Sequence, residues 1–246
     1  MTRPVARIAM WSGPRNLSTA MMRSFENRAD TIVWDEPFYA HYLAETGLDH
    51  AMADQIIAAY ETDWQKVAAR ATGPMPDGGT VFYQKHMTHH LLPHMNLEQL
   101  QGLRHAFLIR DPARVLTSYV DKRAEVSLED LGLPQQQRLF ETIQQRDGKT
   151  PPVLDADDVL ADPADMLTAL CRALEIPFDP AMLSWPAGRR DSDGLWAAHW
   201  YGAVEASTHF AATDKPLRDI PAHLTDLLSA AEPYYQALRP HRLRVN

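Results

Sequence analysis

Short apolar runs alternate along the chain with longer stretches in which apolar residues recur every three or four positions. Five runs have strand length and strand composition: Ile8–Ser12, Thr31–Asp35, Thr80–Lys85, His105–Arg110 and Pro152–Asp155. The fourth carries Ala106-Phe107-Leu108-Ile109 without a polar interruption, as suits a parallel strand covered on both faces. Three stripes at helical period lie between and after the runs. They are Leu17, Met21, Met22 and Phe25; Val115, Leu116, Tyr119 and Val120; and Met166, Leu167, Leu170, Cys171 and Leu174. Asp111-Pro112 is suited to start a helix, because Asp caps and Pro is pre-set for the first turn. Gly73–Gly79 reads as a loop, and a last helix is expected over Ala222–Ala237. Strand and helix in alternation predict an α/β fold with a mainly parallel sheet of about five strands. One domain is expected over 1–246, with 177–246 as a loop and helical cap broken at Pro177–Pro180 and Trp185–Gly194.

Composition narrows the partners. The net charge is −8, which argues against a nucleic-acid partner or a broad anionic-membrane surface. No stretch approaches the ~20 apolar residues of a membrane span. Only five of the 24 basic residues are lysines; the rest are arginines, suited to bidentate binding of oxyanions. Cys171 is the single cysteine, so no intrachain disulfide exists. That fits a reducing, cytoplasmic setting. Its place on a core-facing stripe marks it as inert packing.

Two stretches carry anion chemistry. The first strand runs into Trp11-Ser12-Gly13-Pro14-Arg15-Asn16-Leu17-Ser18-Thr19 and then a helix. The first N–H groups of a helix have no intrahelical partner, and the macrodipole adds positive charge there. Arg15 supplies a full charge, and Ser18 and Thr19 supply donors. The same residues also fit a capped helix with a surface arginine. No GxxxxGK[ST] and no Gly-x-Gly occurs, so the usual ATP, GTP and NAD fingerprints are missing. In the second stretch Arg110 ends a strand and Ser118 lies eight residues on, two turns into a helix. Both can converge on one phosphate at the sheet's carboxyl edge, or Arg110 can serve as a local cap.

Taken together these stretches resemble the sulfotransferases that use 3′-phosphoadenosine 5′-phosphosulfate. Pro14-Arg15-Asn16-Leu17-Ser18-Thr19 is similar to the family's first signature, and Arg110 with Ser118 to its second. Leu154–Pro163, the stripe at Met166–Leu174 and Ile176-Pro177-Phe178 resemble a third segment, so the similarity runs from about residue 8 to 183. The resemblance implies a three-layer α/β/α, P-loop-like fold. It implies that Arg15, Asn16, Ser18 and Thr19 hold the 5′-phosphosulfate and that Arg110 and Ser118 hold the 3′-phosphate. It implies a basic C-terminal loop over the same phosphate, which Arg189 and Arg190 would supply; a solvated loop is the other reading. The donor is then the phosphosulfate nucleotide, the acceptor a small-molecule hydroxyl, and no metal is expected. Two features depart from the pattern. Leu17 replaces a usual Gly, and Ala20 stands where many members carry an adenine-stacking Trp. Trp34, Trp185 and Trp196 are the candidates to replace that ring.

Sulfuryl transfer needs positioning, a base for the acceptor and a cation for the leaving oxygen. Lys85 closes the third run, at the edge where open α/β sheets bind ligands. The resemblance assigns it to the bridging oxygen; a strand-end lysine turned to solvent is the alternative. Glu36, after the second run, is the first candidate base. His86 is the second, although one residue from Lys85 a strand points to the opposite face. By the same rule Asp35 is expected to point away from Glu36. On a helix His86, His90 and His94 would share a face, but Pro93 interrupts the run, and without a further ligand the cluster His86, His89, His90 and His94 reads as a polar loop or an acceptor wall rather than a metal site. Two other classes remain open: a kinase- or NTPase-like nucleotide enzyme, and a protein of this fold that binds without turnover.

Overall fold

The structure, a computed structural model, describes residues 5–76, 78–119, 126–211 and 219–245. Val120 of the second stripe and Asp77 of the loop lie outside them. In chain order the elements are β1 (Ala6–Ser12), α1 (Ser18–Glu26), β2 (Thr31–Asp35), α2 (Tyr39–Thr46), α3 (Ala53–Ala59), α4 (Trp64–Thr72), β3 (Val81–Met87), β4 (Arg104–Ile109), α5 (Pro112–Tyr119), α6 (Leu128–Leu131), α7 (Leu133–Asp147), β5 (Val153–Asp155), α8 (Ala156–Ala161), α9 (Pro163–Ala173), α10 (Ala197–Trp200), α11 (Gly202–Glu205) and α12 (Thr225–Leu238). All five expected strands are present.

They form one sheet in the order β2-β3-β1-β4-β5, and every pairing is parallel. The chain leaves β1 toward one side and later crosses it to build the other. A crevice at the carboxyl ends beside β1 is the expected ligand site of such a sheet. Alternate residues feed two cores. Ile8, Met10, Tyr83, Ala106 and Leu108 pack with Met21, Met22 and Phe25 of α1 and with Met166, Leu167 and Leu170 of α9. Ala9, Trp11, Phe107 and Ile109 pack on the other face with Val67 of α4 and Leu139, Phe140 and Ile143 of α7. The result is a sheet between two helical layers. Each fully buried Met or Phe contributes about 1.5–3 kcal/mol, so the α1 stripe alone fixes that helix against the sheet.

Cys171 lies in the first core, fully buried, and burial pushes its thiol up to about 11. The helix α7 had no clear signal in its LPQQQRLFETIQQRD sequence. Its glutamines hide a stripe of Leu133, Gln136, Leu139, Phe140 and Ile143 that is wholly buried. Gln136 Nε2 donates to the carbonyls of Trp11 and Leu108, at 3.3 and 3.0 Å, and so ties α7 to the carboxyl ends of β1 and β4. Among the described residues no helix is long and apolar enough to cross a membrane.

Candidate active site

The turn between β1 and α1 is built on unusual backbone. Gly13 has no room for a side chain: a Cβ there would collide with the Leu131 carbonyl. Arg15 and Leu17 both have positive φ, 61° and 67°, without being glycine. Leu17 is the N-cap of α1 and gives no side-chain cap hydrogen bond. The opening of α1 therefore has no side-chain cap from its N-cap residue. Asn16 is buried and donates through Nδ2 to the Leu108 carbonyl at 3.3 Å, while its Oδ1 has no partner.

The second stretch closes onto the first. Arg15 Nε donates to Ser118 Oγ at 2.9 Å, and Arg110 Nη1 donates to the Arg15 carbonyl at 2.9 Å. Arg110 Nε is buried without a partner. Burial holds the Arg110 guanidinium below its usual value, an effect that a bound anion would reverse. Two arginines, a serine and the start of α1 thus face one cavity of about 370 Å³. Ser18 and Thr19 also line it. Among these donors Arg110 Nε is the buried one without a partner.

The same cavity reaches the ends of β2 and β3. Lys85 Nζ lies 2.9 Å from Asp35 Oδ1, 2.5 Å from Glu36 Oε1 and 2.6 Å from the Tyr201 hydroxyl. Its side chain is 1% exposed. The Tyr201 hydroxyl in turn donates to Asp35, with its oxygens at 2.9 and 2.8 Å, and accepts from Trp196 Nε1 at 3.1 Å. The Gly194 N–H adds a donor to Asp35 at 3.2 Å. Burial raises the Glu36 carboxyl above its ordinary value, against the pull of Lys85. Lys85 is raised as well, because Asp35 and Glu36 together outweigh its own burial.

Here one expectation is corrected. Asp35 and Glu36 do not point apart; both reach Lys85. The strand rule fails because Glu36 leaves β2 at φ 42°, which turns its side chain back to the Asp35 side. Its N–H still donates to the Lys85 carbonyl at 2.9 Å, as a last rung of the β2–β3 ladder.

His86 sits on the other face of β3. Its ring stacks on Trp11 at 4.3 Å and packs near Phe38 at 5.4 Å. Its Nε2 donates to Gln84 Oε1 at 3.1 Å, and burial pushes the imidazole down to about 3. It does not line the cavity. Since β3 runs on to Met87, the histidine run is divided. His89 and His90, on the turn after β3, line the cavity, whereas the exposed His94 pairs with His41 across 3.2 Å. Among the described residues no three His, Cys, Asp or Glu side chains are gathered for a metal ion.

Arg189 and Arg190 are not brought to the cavity. Arg190 donates to the Pro186 carbonyl at 2.7 Å and lies 3.8 Å from Glu26, at the far end of α1 from the anion-binding turn. Arg189 is exposed. None of the three tryptophans expected near the nucleotide lines the cavity. Trp34 lies under Arg70 against Phe82, Trp185 against Phe210, and Trp196 on Gly194. Trp200 and Phe210 line it instead, as do Leu17 and Ala20. Both come from the irregular C-terminal third, where no periodicity marks a site.

The sequence matches the family described as Sulfotransferase domain over residues 6–242. Two curated Arabidopsis thaliana proteins, branched-chain-amino-acid aminotransferase-like proteins 1 and 2, are each 38% identical over 235 and 237 residues. The alignments cover 95% of this chain but 42% and 41% of those proteins, so the chain spans about two-fifths of the length of the curated relatives it matches. Solved structures share the fold. A sulfotransferase from Alicyclobacillus acidocaldarius superposes with a TM-score of 0.56 at 11% identity, over 99% of this chain and 98% of that one. The sulfotransferase domain from the curacin biosynthetic pathway gives 0.55 at 17% identity, over 95% and 99%. That from a Synechococcus olefin synthase gives 0.53 at 17%, over 95% and 96%.

Proposed function

The chain belongs to the sulfotransferase domain family, and on that premise we propose that it moves a sulfuryl group from 3′-phosphoadenosine 5′-phosphosulfate to a hydroxyl of a small molecule. One observation carries the reading. Arg15, Arg110 and Ser118 meet at the end of the cavity that also holds Lys85 and Glu36.

The bound nucleotide supplies the sulfuryl group and a bisphosphate leaving group. Arg15, Asn16, Ser18 and Thr19 hold its 5′ side at the start of α1. Arg110 and Ser118 hold its 3′-phosphate, for which the unpartnered Arg110 Nε supplies a donor. Trp200 and Phe210 take the place of the ring missing at Ala20 and hold the base from the C-terminal side. Lys85 offers one of its three N–H bonds to the leaving oxygen, releasing a carboxylate as it does so. Glu36 lines the cavity and accepts the acceptor's proton at Oε1 or Oε2. A carboxyl whose burial raises its pKa is the better base near neutral pH. His86, buried on the opposite face, takes no part. Arg190 is left with a structural role in the loop against Glu26, and Arg189 lies exposed on that loop. A cavity of this size leaves room only for a small acceptor beside the nucleotide. A cytoplasmic setting goes with the reading, since the single cysteine is a buried thiol.

Calorimetric titration with adenosine 3′,5′-bisphosphate, AMP and Mg·ATP tests the donor site. Micromolar binding of the bisphosphate, with AMP and ATP weaker by about tenfold or more, is the expected outcome. Equal binding of all three would leave Arg110 and Ser118 as structural residues and sink the assignment.

A further inference from the structure

Tyr201 has no part in the reaction as described above, yet its hydroxyl touches every charged group at the end of the cavity. It accepts from Lys85 at 2.6 Å and from Trp196 Nε1 at 3.1 Å, donates to Asp35, and lies 3.4 Å from Glu36 Oε1. Its ring is buried, with the Lys85 nitrogen 5.0 Å from the centroid. It comes from the C-cap of the short helix α10, far from β2 and β3 in sequence. The segment is held in place along its length. Asp193 forms a buried ion pair with Arg23 at 2.6 Å, the Gly194 N–H reaches Asp35, and the Leu195 N–H donates to the Tyr60 hydroxyl at 3.1 Å. Gly194 is obligatory here, since a Cβ would run into the Trp196 ring.

Two carboxylates share one ammonium, and their surroundings differ. Asp35 faces Lys85, Tyr201 and the Gly194 amide. Glu36 faces Lys85 and opens on the cavity. We propose that Tyr201 is a positioning residue for the transfer reaction: its hydroxyl holds the Lys85 ammonium between Asp35 and Glu36, and so keeps Glu36 turned into the cavity as the proton acceptor. The catalytic roles of Lys85 and Glu36 rest on the function proposed above; the positioning geometry does not.

The sign of the effect is fixed by three contributions. Without the hydroxyl, Asp35 loses a donor and draws Lys85 toward itself. Glu36 then feels less of the ammonium. Glu36 also loses the hydroxyl 3.4 Å from its Oε1, whose presence lowers its carboxyl. All three move Glu36 the same way, upward. The other charged and titratable groups around Glu36 are the same in the comparison: Arg15 and Arg110 of the two turns, the cavity histidines His50, His89 and His90, and Glu61 and Arg70 on its outer side.

The test is a carboxyl ¹³C titration of the full chain labelled in glutamate, with Glu36 assigned by its loss in Glu36→Gln. In Tyr201→Phe the Glu36 midpoint should rise by about one pH unit. Adenosine 3′,5′-bisphosphate should bind within about threefold of wild type, because the 3′ and 5′ anion sites are untouched. A Glu36 midpoint that does not move in a folded Tyr201→Phe protein overturns the proposal. If Tyr201→Phe does not fold, Trp196→Phe removes only the donor that orients the hydroxyl, and a smaller rise in the same direction is expected; no rise overturns it. A midpoint that rises in a protein whose wild type ignores the bisphosphate supports the positioning role and defeats the donor reading, so the two failures are distinct.

Discussion

Arg15 Nε donates to the hydroxyl of Ser118 at 2.9 Å across 103 residues of sequence. The bond joins the turn after β1 to the second turn of α5, and Arg110 completes the link by donating to the Arg15 carbonyl. The turn after β1 and the β4–α5 stretch are therefore one structure. Arg15 can adopt its positive φ because both its side chain and its carbonyl are held from α5 and the end of β4. Such pre-organisation suits a ligand with anions at both ends.

Arg110→Ala separates the two ends. A charge-assisted hydrogen bond contributes about 1.5–3 kcal/mol, so adenosine 3′,5′-bisphosphate should bind about 10- to 100-fold more weakly. AMP lacks the 3′-phosphate and should change by less than about threefold. Calorimetry on both ligands decides the matter. Equal losses for the two would mean that Arg110 acts only through the Arg15 carbonyl.

Lys85→Met tests the buried charge cluster by stability rather than turnover. It removes the partner of two carboxylates, one of them fully buried, and should cost about 3–5 kcal/mol in urea unfolding. The double variant Lys85→Met with Asp35→Asn removes the stranded charge as well. It should recover at least about half of that loss. No recovery would show that the ion pair with Asp35 is incidental to folding.

The strands, the first turn and the Arg110–Ser118 spacing were legible because each is local. Period-two and period-3.6 patterns follow from the backbone, and a strand end followed directly by a helix puts Arg110 and Ser118 within one local unit. What was missed is what needs distant partners or unusual backbone. Glu36 joins Asp35 at Lys85 only because it adopts a positive φ, which no residue pattern announces. The aromatic run Leu195–Tyr201 suits a wall of an acceptor site by composition, and Trp200 and Tyr201 do line the cavity, but the contact of Tyr201 with Asp35 and Lys85 depends on distant partners: Arg23 with Asp193, and the close approach of Gly194 to Trp196. The family resemblance made Arg189 and Arg190 candidates for a phosphate clamp, with a solvated loop as the other reading, and the contact of Arg190 with Glu26 holds that loop at the far end of α1.

Leu17 offers a stability test of the turn. At φ 67° a side chain with a Cβ is strained by about 1–2 kcal/mol. Leu17→Gly relieves that strain but gives up packing against the first core, so thermal stability should change by less than about 1 kcal/mol. Leu17→Val keeps most of the apolar surface but adds β-branching where positive φ tolerates it least, and should cost about 2 kcal/mol or more. A valine variant more stable than the glycine one would mean that the turn relaxes away from this backbone.

His86 makes stability depend on pH. Its ring lies between Trp11 and Phe38, and burial lowers its pKa from 6.5 to about 3. The folded chain keeps it neutral, and the unfolded chain protonates it below 6.5. Between those values the unfolded state binds the extra proton, so stability falls as pH falls, by about 1.4 kcal/mol per pH unit for this residue. His105, lowered to about 4, acts in the same sense. Glu36 and Asp155, raised by burial, act in the opposite sense in their own acidic window. Those contributions are common to wild type and His86→Gln and cancel in the comparison. The glutamine variant should be less stable at pH 7.5 by about 1–2 kcal/mol, from lost ring packing. Its stability should also fall less steeply from pH 6 to 5, by about 1.4 kcal/mol per unit. Urea unfolding at the three pH values gives both quantities. Parallel stability curves for the two proteins would mean that His86 is protonated alike in the folded and unfolded chain, and so does not sit neutral against Trp11.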